Sequence, residues 1–171
     1  MDKLHIRKAT PEDAKKIIDY LNQIGGESDN LLFGENGFSW LTVEKEAELI
    51  ETTNSTNKNV LLLGLIGNEI ASISNLQGFT RERTSHRCTI ALSVKRDYWN
   101  QGIGTAMMES LLTFAKESAG YRVVELQVKA DNIYAIHLYQ RFGFKKIGQY
   151  EKFFKINNIY YDALLMNLYF D

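Results

Sequence analysis

Leu92-Ser93-Val94-Lys95-Arg96-Asp97-Tyr98-Trp99-Asn100-Gln101-Gly102-Ile103-Gly104-Thr105 is the stretch on which the fold turns. An apolar strand-like segment ends at Val94, a polar loop follows, and an amphipathic helix opens at Gly102. Ile103, Met107, Met108, Leu111, Leu112 and Ala115 fall on one side of that helix. Gly102 and Gly104 carry no side chains, so backbone N–H groups can approach a ligand closely. These N–H groups lie at a helix N-terminus, where the dipole favours anions. Pyrophosphate binding is the chemistry suggested; a tight strand-to-helix turn is the plainer alternative, and a short Gly-x-Gly pattern fits both. A dinucleotide fingerprint would carry a third glycine where Met107 stands. A P-loop would carry Gly-Lys-Ser/Thr, which the sequence lacks.

Upstream, Arg87 to Val94 reads as the strand that feeds the loop. Val60 to Ile66 and Glu69 to Leu76 read as two more strands, joined by a Gly67-Asn68 hairpin turn. Lys3 to Lys8 is a short strand. Thr10-Pro11 then starts a helix, with Thr10 as N-cap, Pro11 at the first helical position and Glu12 and Asp13 at the positive dipole end. Ala14, Ile17, Ile18 and Leu21 form its apolar face, and Gly25-Gly26 ends it. Glu27 to Trp40 is irregular and aromatic, which predicts a loop packed over something. A second helix follows from Thr42, with Val43, Ala47 and Ile50 on one face. Downstream, the helix from Gly102 runs to Ser118. Val123 to Val128 is a strand, and Asn132 to Phe142 is a helix ended by Gly143. The tail from Phe144 reads as strands around an Asn157-Asn158 turn. Antiparallel strands followed by strand–helix–strand–helix–strands predict an α/β (α+β) domain over residues 1–171. Its central sheet is mixed, mostly antiparallel, and flanked by helices.

The 171 residues suit one domain and a core that needs no disulfide or metal. The net charge of -1 leaves no basic surplus for nucleic acid or an anionic membrane. A lone cysteine, Cys88, excludes an internal disulfide framework and favours a reducing cytoplasm. The opening MDKLHIRKATPED has no apolar signal-peptide core, and no apolar run approaches the ~20 residues of a membrane helix. His86 and His137 have no second ligand at metal spacing, so no metal is expected; His5 is uninformative.

SVKRDYWNQGIGTAMMESLLTFA resembles the acyl-CoA loop of the GNAT superfamily of N-acetyltransferases, whose pattern is Gln/Arg-x-x-Gly-x-Gly/Ala after a strand. Trp99 stands in the Gln/Arg place, a departure that removes one polar partner and leaves the backbone cradle. Asn132-Ile133-Tyr134-Ala135-Ile136-His137-Leu138-Tyr139, then Gly143-Phe144, resembles the superfamily's second motif, N-x-x-A-x-x-L-Y-x-x-x-G-F. The two motifs and their flanks cover residues 86–148. The resemblance implies a GNAT-like acyl-CoA N-acyltransferase fold, acetyl-CoA as the acetyl donor, and an amine acceptor.

It also implies roles. Leu92, Ser93 and Val94 would splay from the neighbouring strand and pair with the pantetheine arm. The Val94 N–H would stabilise the thioester oxygen as charge develops. Asn100 and the backbone of Gln101, Gly102, Ile103, Gly104 and Thr105 would hold the pyrophosphate. Asn132 and Ala135 open the second-motif helix, where Asn132 reads as a helix cap and, by resemblance, as a pantetheine partner. Tyr139 lies two helical turns after Asn132. On its own it reads as a core aromatic; by resemblance it is the general acid toward the leaving thiolate.

Some relatives place a Glu for amine deprotonation where this sequence has Cys88. A buried cysteine is ordinarily a small hydrophobe, so relay through water or another carboxylate is the expected route. Glu27 and Asp29 are candidates to attract a cationic amine, or plain loop charge. Lys95-Arg96 flanks the loop as phosphate partners or surface charge. Phe153, Phe154, Tyr160 and Tyr161 read as core and edge packing, a homodimer contact or an acceptor-site wall. Three functions stand side by side: acetylation of a small amine, acetylation of a protein or peptide amine, and a non-catalytic acyl-CoA sensor.

Overall fold

The structure is a computed structural model and describes residues 3–171. Its elements are β1 (Leu4–Lys8), α1 (Ala14–Ile24), α2 (Val43–Asn54), β2 (Val60–Ile66), β3 (Glu69–Gly78) and β4 (Arg87–Val94). They continue with α3 (Ile103–Thr113), β5 (Val123–Lys129), α4 (Ile133–Arg141), β6 (Lys145–Ile156) and β7 (Ile159–Tyr169). The strands form one seven-stranded sheet in the order β1-β2-β3-β4-β5-β7-β6. Every neighbouring pair is antiparallel except β4 and β5, which run parallel.

That parallel pair is short. β4 stays in register with β3 from Cys88 opposite Gly78 to Val94 opposite Ser72. It pairs with β5 only at Arg87, Cys88 and Thr89. Beyond Thr89 the two strands diverge and the sheet opens.

The helices cover both faces. Met107, Met108 and Leu111 of α3 pack on Cys88, Ile90, Val124 and Leu126, all buried. On the other side Ile17, Tyr20 and Ile24 of α1 pack on Leu63, Ile70 and Ile73, with Ile50 of α2 beside them. The apolar spacings expected of α1, α3 and β5 all fall on these buried faces. The α2 face differs from expectation: Ile50 is buried and Ala47 half-buried, but Val43 is exposed and Glu46 is buried instead. Val43 is the first helical residue and overhangs the core, so the docking surface begins one turn later. Burial there raises the Glu46 carboxyl above the usual range. The helix expected to run to Ser118 is α-helical only to Thr113, then widens into one π turn over Phe114–Ser118.

The junction of β1 and α1 is held by charge. Asp13 accepts two hydrogen bonds from Arg7, at 2.7 and 2.8 Å, and one from the Thr10 N–H at 2.8 Å. The last of these closes the entry turn to α1. The Arg7 hydrogen bonds hold the Asp13 carboxyl at about 2, below its ordinary value of 3.8. A depressed carboxylate stabilises the fold above its unfolded pKa, and that contribution disappears as pH falls through the folded one. Asp13→Asn should lower stability by roughly 1–3 kcal/mol at neutral pH. Urea titrations should show the gap to wild type narrowing from about pH 4 toward about pH 2. A gap that is constant across this range would assign the effect to packing instead.

Candidate functional site

The open edge of β4 can be phased from two anchored peptide units. The Lys95 N–H donates to the Ala71 carbonyl on β3 at 2.9 Å. The Ser93 carbonyl accepts from the Ser72 hydroxyl, also on β3, at 2.6 Å. In a trans peptide the C=O and N–H point in opposite directions. The Val94 C=O and the Val94 N–H therefore both face away from β3, into the gap left by β5. Leu92, two residues earlier, repeats that orientation. One of these groups is already engaged: the Trp99 indole N–H donates to the Val94 carbonyl at 2.7 Å.

After Val94 the backbone makes a 3-10 turn over Arg96–Tyr98 and reverses through two left-handed residues, Asn100 (φ 60) and Gly102 (φ 79). The Gln101 side chain folds back onto the Asp97 carbonyl at 2.9 Å. The first helical bond of α3 runs from the Ala106 N–H to the Gly102 carbonyl at 3.1 Å. The N–H groups of Ile103, Gly104 and Thr105 precede it and have no helical acceptor. A Cβ at Gly104 would meet only Leu138 Cδ2 at 3.4 Å and Val94 Cγ2 at 3.8 Å, both ordinary contacts. Nothing in the fold demands glycine there.

Helix α4 forms the opposite wall. The Asn132 side-chain oxygen caps it, accepting from the Ala135 N–H at 3.3 Å. Tyr139 is buried against Phe144, with ring centroids 5.9 Å apart. Among the described residues no protein group bonds its hydroxyl, and burial pushes its pKa up to about 12. The strand edge, the loop and α4 enclose a cleft of about 620 Å³. Leu92, Ser93, Val94, Asn100, Gly102, Ile103, Gly104, Thr105, Asn132, Ala135 and Tyr139 all line it.

Other expected residues are placed differently. Gln101 is not among the residues that line the cleft, and its side chain is turned away, as above. Glu27 lines the cleft, and its carboxylate accepts from the Arg96 N–H at 2.6 Å. Asp29 is exposed and lies outside the cleft, because the chain turns outward between Ser28 and Asn30. Cys88 is fully buried in the core below the splay, and burial lifts its thiol to about 12. Lys95 is committed to an ion pair with Glu69, which also accepts from the Tyr98 hydroxyl at 2.7 Å. Arg96 lies over the Trp99 ring, 5.6 Å from its centroid. Among the described residues no group of three or more His, Cys, Asp or Glu is placed to share a metal ion. Among them, too, no helix is long and apolar enough to cross a membrane.

Two contributors were not legible in the sequence. Tyr20 of α1 bonds the Ser93 hydroxyl at 3.1 Å, tying the first helix to the strand edge. Its place among Ile17 and Ile24 marks it only as a core aromatic. Tyr134, a variable position of the second motif, is 84% exposed and lines the mouth of the cleft.

The sequence profile of the Acetyltransferase (GNAT) family matches residues 11–144. A solved acetyltransferase of the GNAT family from Streptococcus pneumoniae superposes with a TM-score of 0.94. It is 30% identical, and the match covers 98% of this chain and 100% of that one. The L-amino acid N-acetyltransferase of Escherichia coli K12 is 27% identical over 105 residues, 61% of this chain and 65% of the relative. The [ribosomal protein bS18]-alanine N-acetyltransferase of the same organism is 32% identical over 77 residues, 45% of this chain and 51% of the relative. The chain thus spans less than two thirds of either curated relative.

The two glycines should separate in a stability assay. Gly102→Ala places a Cβ on a left-handed residue and should cost about 1–2 kcal/mol. Gly104→Ala should be close to neutral, because its new contacts are ordinary ones. Chemical denaturation of both variants checks this; equal losses would mean that Gly104 is needed by the fold itself.

Proposed function

The chain belongs to the Acetyltransferase (GNAT) family, and from that premise we propose that it is an N-acetyltransferase that moves the acetyl group of acetyl-CoA onto a primary amine by direct attack. One observation carries this reading: the unpaired β4 edge shares a cleft with a tyrosine hydroxyl and helix N-terminal N–H groups that have no protein partner among the described residues. The residues suit the donor. Gly104 leaves room that its own neighbours do not need, and the N–H groups of Gly102 to Thr105, which line the cleft, offer an anion cradle for the pyrophosphate. The β4 edge from Leu92 to Val94 and the Asn132 amide line the cleft and are assigned to the pantetheine arm.

The proposed chemistry assigns each group one task. Bound acetyl-CoA supplies the activated acetyl group. The Val94 N–H donates to the thioester oxygen and strengthens that bond as negative charge builds there. Glu27 is the carboxylate that lines the cleft, and it draws in the acceptor's ammonium. An alkyl ammonium has a pKa near ~10.4, so it must lose a proton before its nitrogen attacks. Water beside Glu27 takes that proton. The new N–C bond forms as the C–S bond breaks, Tyr139 gives its hydroxyl proton to the departing sulfur, and the second proton shed by the acylated nitrogen returns through water to restore the tyrosine. The pKa of about 12 keeps Tyr139 protonated at any working pH. The transfer is uphill to a thiolate whose conjugate acid is near ~8.5, so it accompanies C–S cleavage instead of preceding it. Cys88 has no part in this route, being buried and held as the thiol.

Acceptor loops vary most within a fold, and the two E. coli relatives act on a free amino acid and on a ribosomal protein by name. Both a small amine and a protein or peptide amine therefore belong in the assay. Thiol release from acetyl-CoA, followed across amines and peptides, should show turnover with at least one of them. Tight acetyl-CoA binding with no turnover on any acceptor would support the acyl-CoA sensor instead.

Two variants test the assignments. Gly104→Val fills the cradle and should abolish acetyl-CoA binding in calorimetry while the protein stays folded; unchanged affinity would refute the cradle. Tyr139→Phe keeps the ring and removes the hydroxyl. It should lower kcat by roughly 10²–10⁴-fold with CoA affinity nearly unchanged. Wild-type turnover with chemistry rate-limiting would remove Tyr139 from the reaction. Unfolding of the variant would make it a structural core residue.

A further inference from the structure

Charged side chains are sparse around the cleft. Of the described residues that line it, Glu27 is the one carboxylate and Arg141 the one arginine, lysine or histidine. The basic pair beside the loop adds no free cation: Lys95 is bound to Glu69, and Arg96 lies over the Trp99 ring. Arg141 is exposed and, among the described residues, enters no side-chain hydrogen bond, ion pair or ring contact.

The helix fixes where this cation stands. Arg141 is the last residue of α4, three after Leu138. Three residues make nearly one turn, so Arg141 shares the Leu138 face about 4.5 Å further along the axis. Leu138 lies against the start of α3, where its Cδ2 is 3.4 Å from the place of a Cβ on Gly104. Arg141 therefore belongs to the α3–α4 side of the cleft, near the N–H cradle, whereas Glu27 comes from the loop after α1.

Acyl-CoA carries more phosphate than that cradle can hold. Its pyrophosphate esterifies one ribose, and the same ribose bears a separate 3′-phosphate. A phosphate monoester carries a charge of about −1.5 to −2 at pH 7. Only the first turn of a helix has free N–H groups, and the pyrophosphate takes those of α3. The third phosphate is left one sugar ring away, with Arg141 as the nearby cation. A guanidinium presents a planar fork of N–H donors that matches two phosphate oxygens at once. The plainer use of a basic residue in this last turn is to complement the negative end of the α4 dipole. That use does not require Arg141 to line the cleft, and it implies no preference among ligands.

Resting on the acetyl-CoA reading above, we propose that Arg141 binds the ribose 3′-phosphate of the acyl donor. It works at the end of the donor remote from the thioester and sets which donors the site accepts. A 3′-phosphorylated acyl-CoA is held at both ends, and an acetyl thioester on dephospho-CoA or on a bare pantetheine arm is not.

Calorimetry with acetyl-CoA and with 3′-dephospho-acetyl-CoA tests this on the full chain, on Arg141→Gln and on Arg141→Lys. Wild type should bind acetyl-CoA about 5- to 20-fold more tightly than the dephospho form, between the worth of an exposed ion pair and that of a full charge-assisted bond. Added salt should erode that preference. Arg141→Gln should abolish it by weakening acetyl-CoA alone, with the dephospho form bound as in wild type. Arg141→Lys keeps the charge without the fork and should retain part of it. A Gln variant that weakens both ligands by the same factor would overturn the proposal, and with a lowered melting temperature would make Arg141 a helix-end charge. Wild type that binds both ligands equally would overturn this inference alone. Wild type that binds neither would overturn the acetyl-CoA reading, and this inference with it.

Discussion

Backbone groups left without a partner on β4 are the constraint around which the rest of the site is arranged. β4 pairs with β3 along its whole length but with β5 only through Thr89. Past that point Leu92 and Val94 turn N–H and C=O groups toward a gap. An unsatisfied buried backbone group costs about 1–3 kcal/mol, so an opening of this kind must be wet, bridged by side chains or filled by a ligand. The fold uses a side chain once, with Trp99 on the Val94 carbonyl. The remaining groups point into a cleft that also holds the free N–H groups of the α3 N-terminus. The splay is therefore a weak point of the sheet and, by the same geometry, a place shaped for an extended amide-bearing chain ending in a phosphate.

Stability near the opening is recovered by cross-ties. Ser72 fixes the Ser93 peptide from β3, and Tyr20 reaches the Ser93 hydroxyl from α1. Glu27 accepts from the Arg96 N–H, so the loop after α1 and the loop after β4 are joined directly. That bond places the carboxylate lining the cleft two residues beyond Val94. Donor and acceptor sides of the proposed site are thus positioned by the same few loop residues.

The sequence was most legible where periodicity and local chemistry agree. The faces of α1, α3 and β5, the Gly67-Asn68 hairpin and the Gly102 turn could all be read from spacing and residue type, and all are present. The cleft-lining residues of the loop and of α4 came from two motifs read together. What could not be read depends on tertiary direction. Helical spacing put Val43 on the α2 face, but the helix docks only from its second turn. Asp29 and Glu27 are indistinguishable as loop charges, and only the path of the chain sends one outward and the other to the Arg96 N–H. Trp99 registered as a departure from a pattern; its bond to Val94 requires knowing which way a carbonyl points. Tyr20 is not among the residues read as the α1 face, and its bond to the Ser93 hydroxyl depends on how α1 crosses the strand edge.

The central claim is that the unpaired edge of β4 at Leu92 and Val94 takes the donor's arm and acyl carbonyl while the loop after it holds the phosphates. Backbone amide chemical shifts, followed by NMR during parallel titrations with CoA and with acetyl-CoA, test it most directly. The account predicts that the amides of Gly102 to Thr105 move with both ligands and that the Leu92 and Val94 amides move as well, at least one of them further with acetyl-CoA than with CoA. Leu92 and Val94 amides that both move identically with the two ligands, or loop amides that respond to neither, would contradict it.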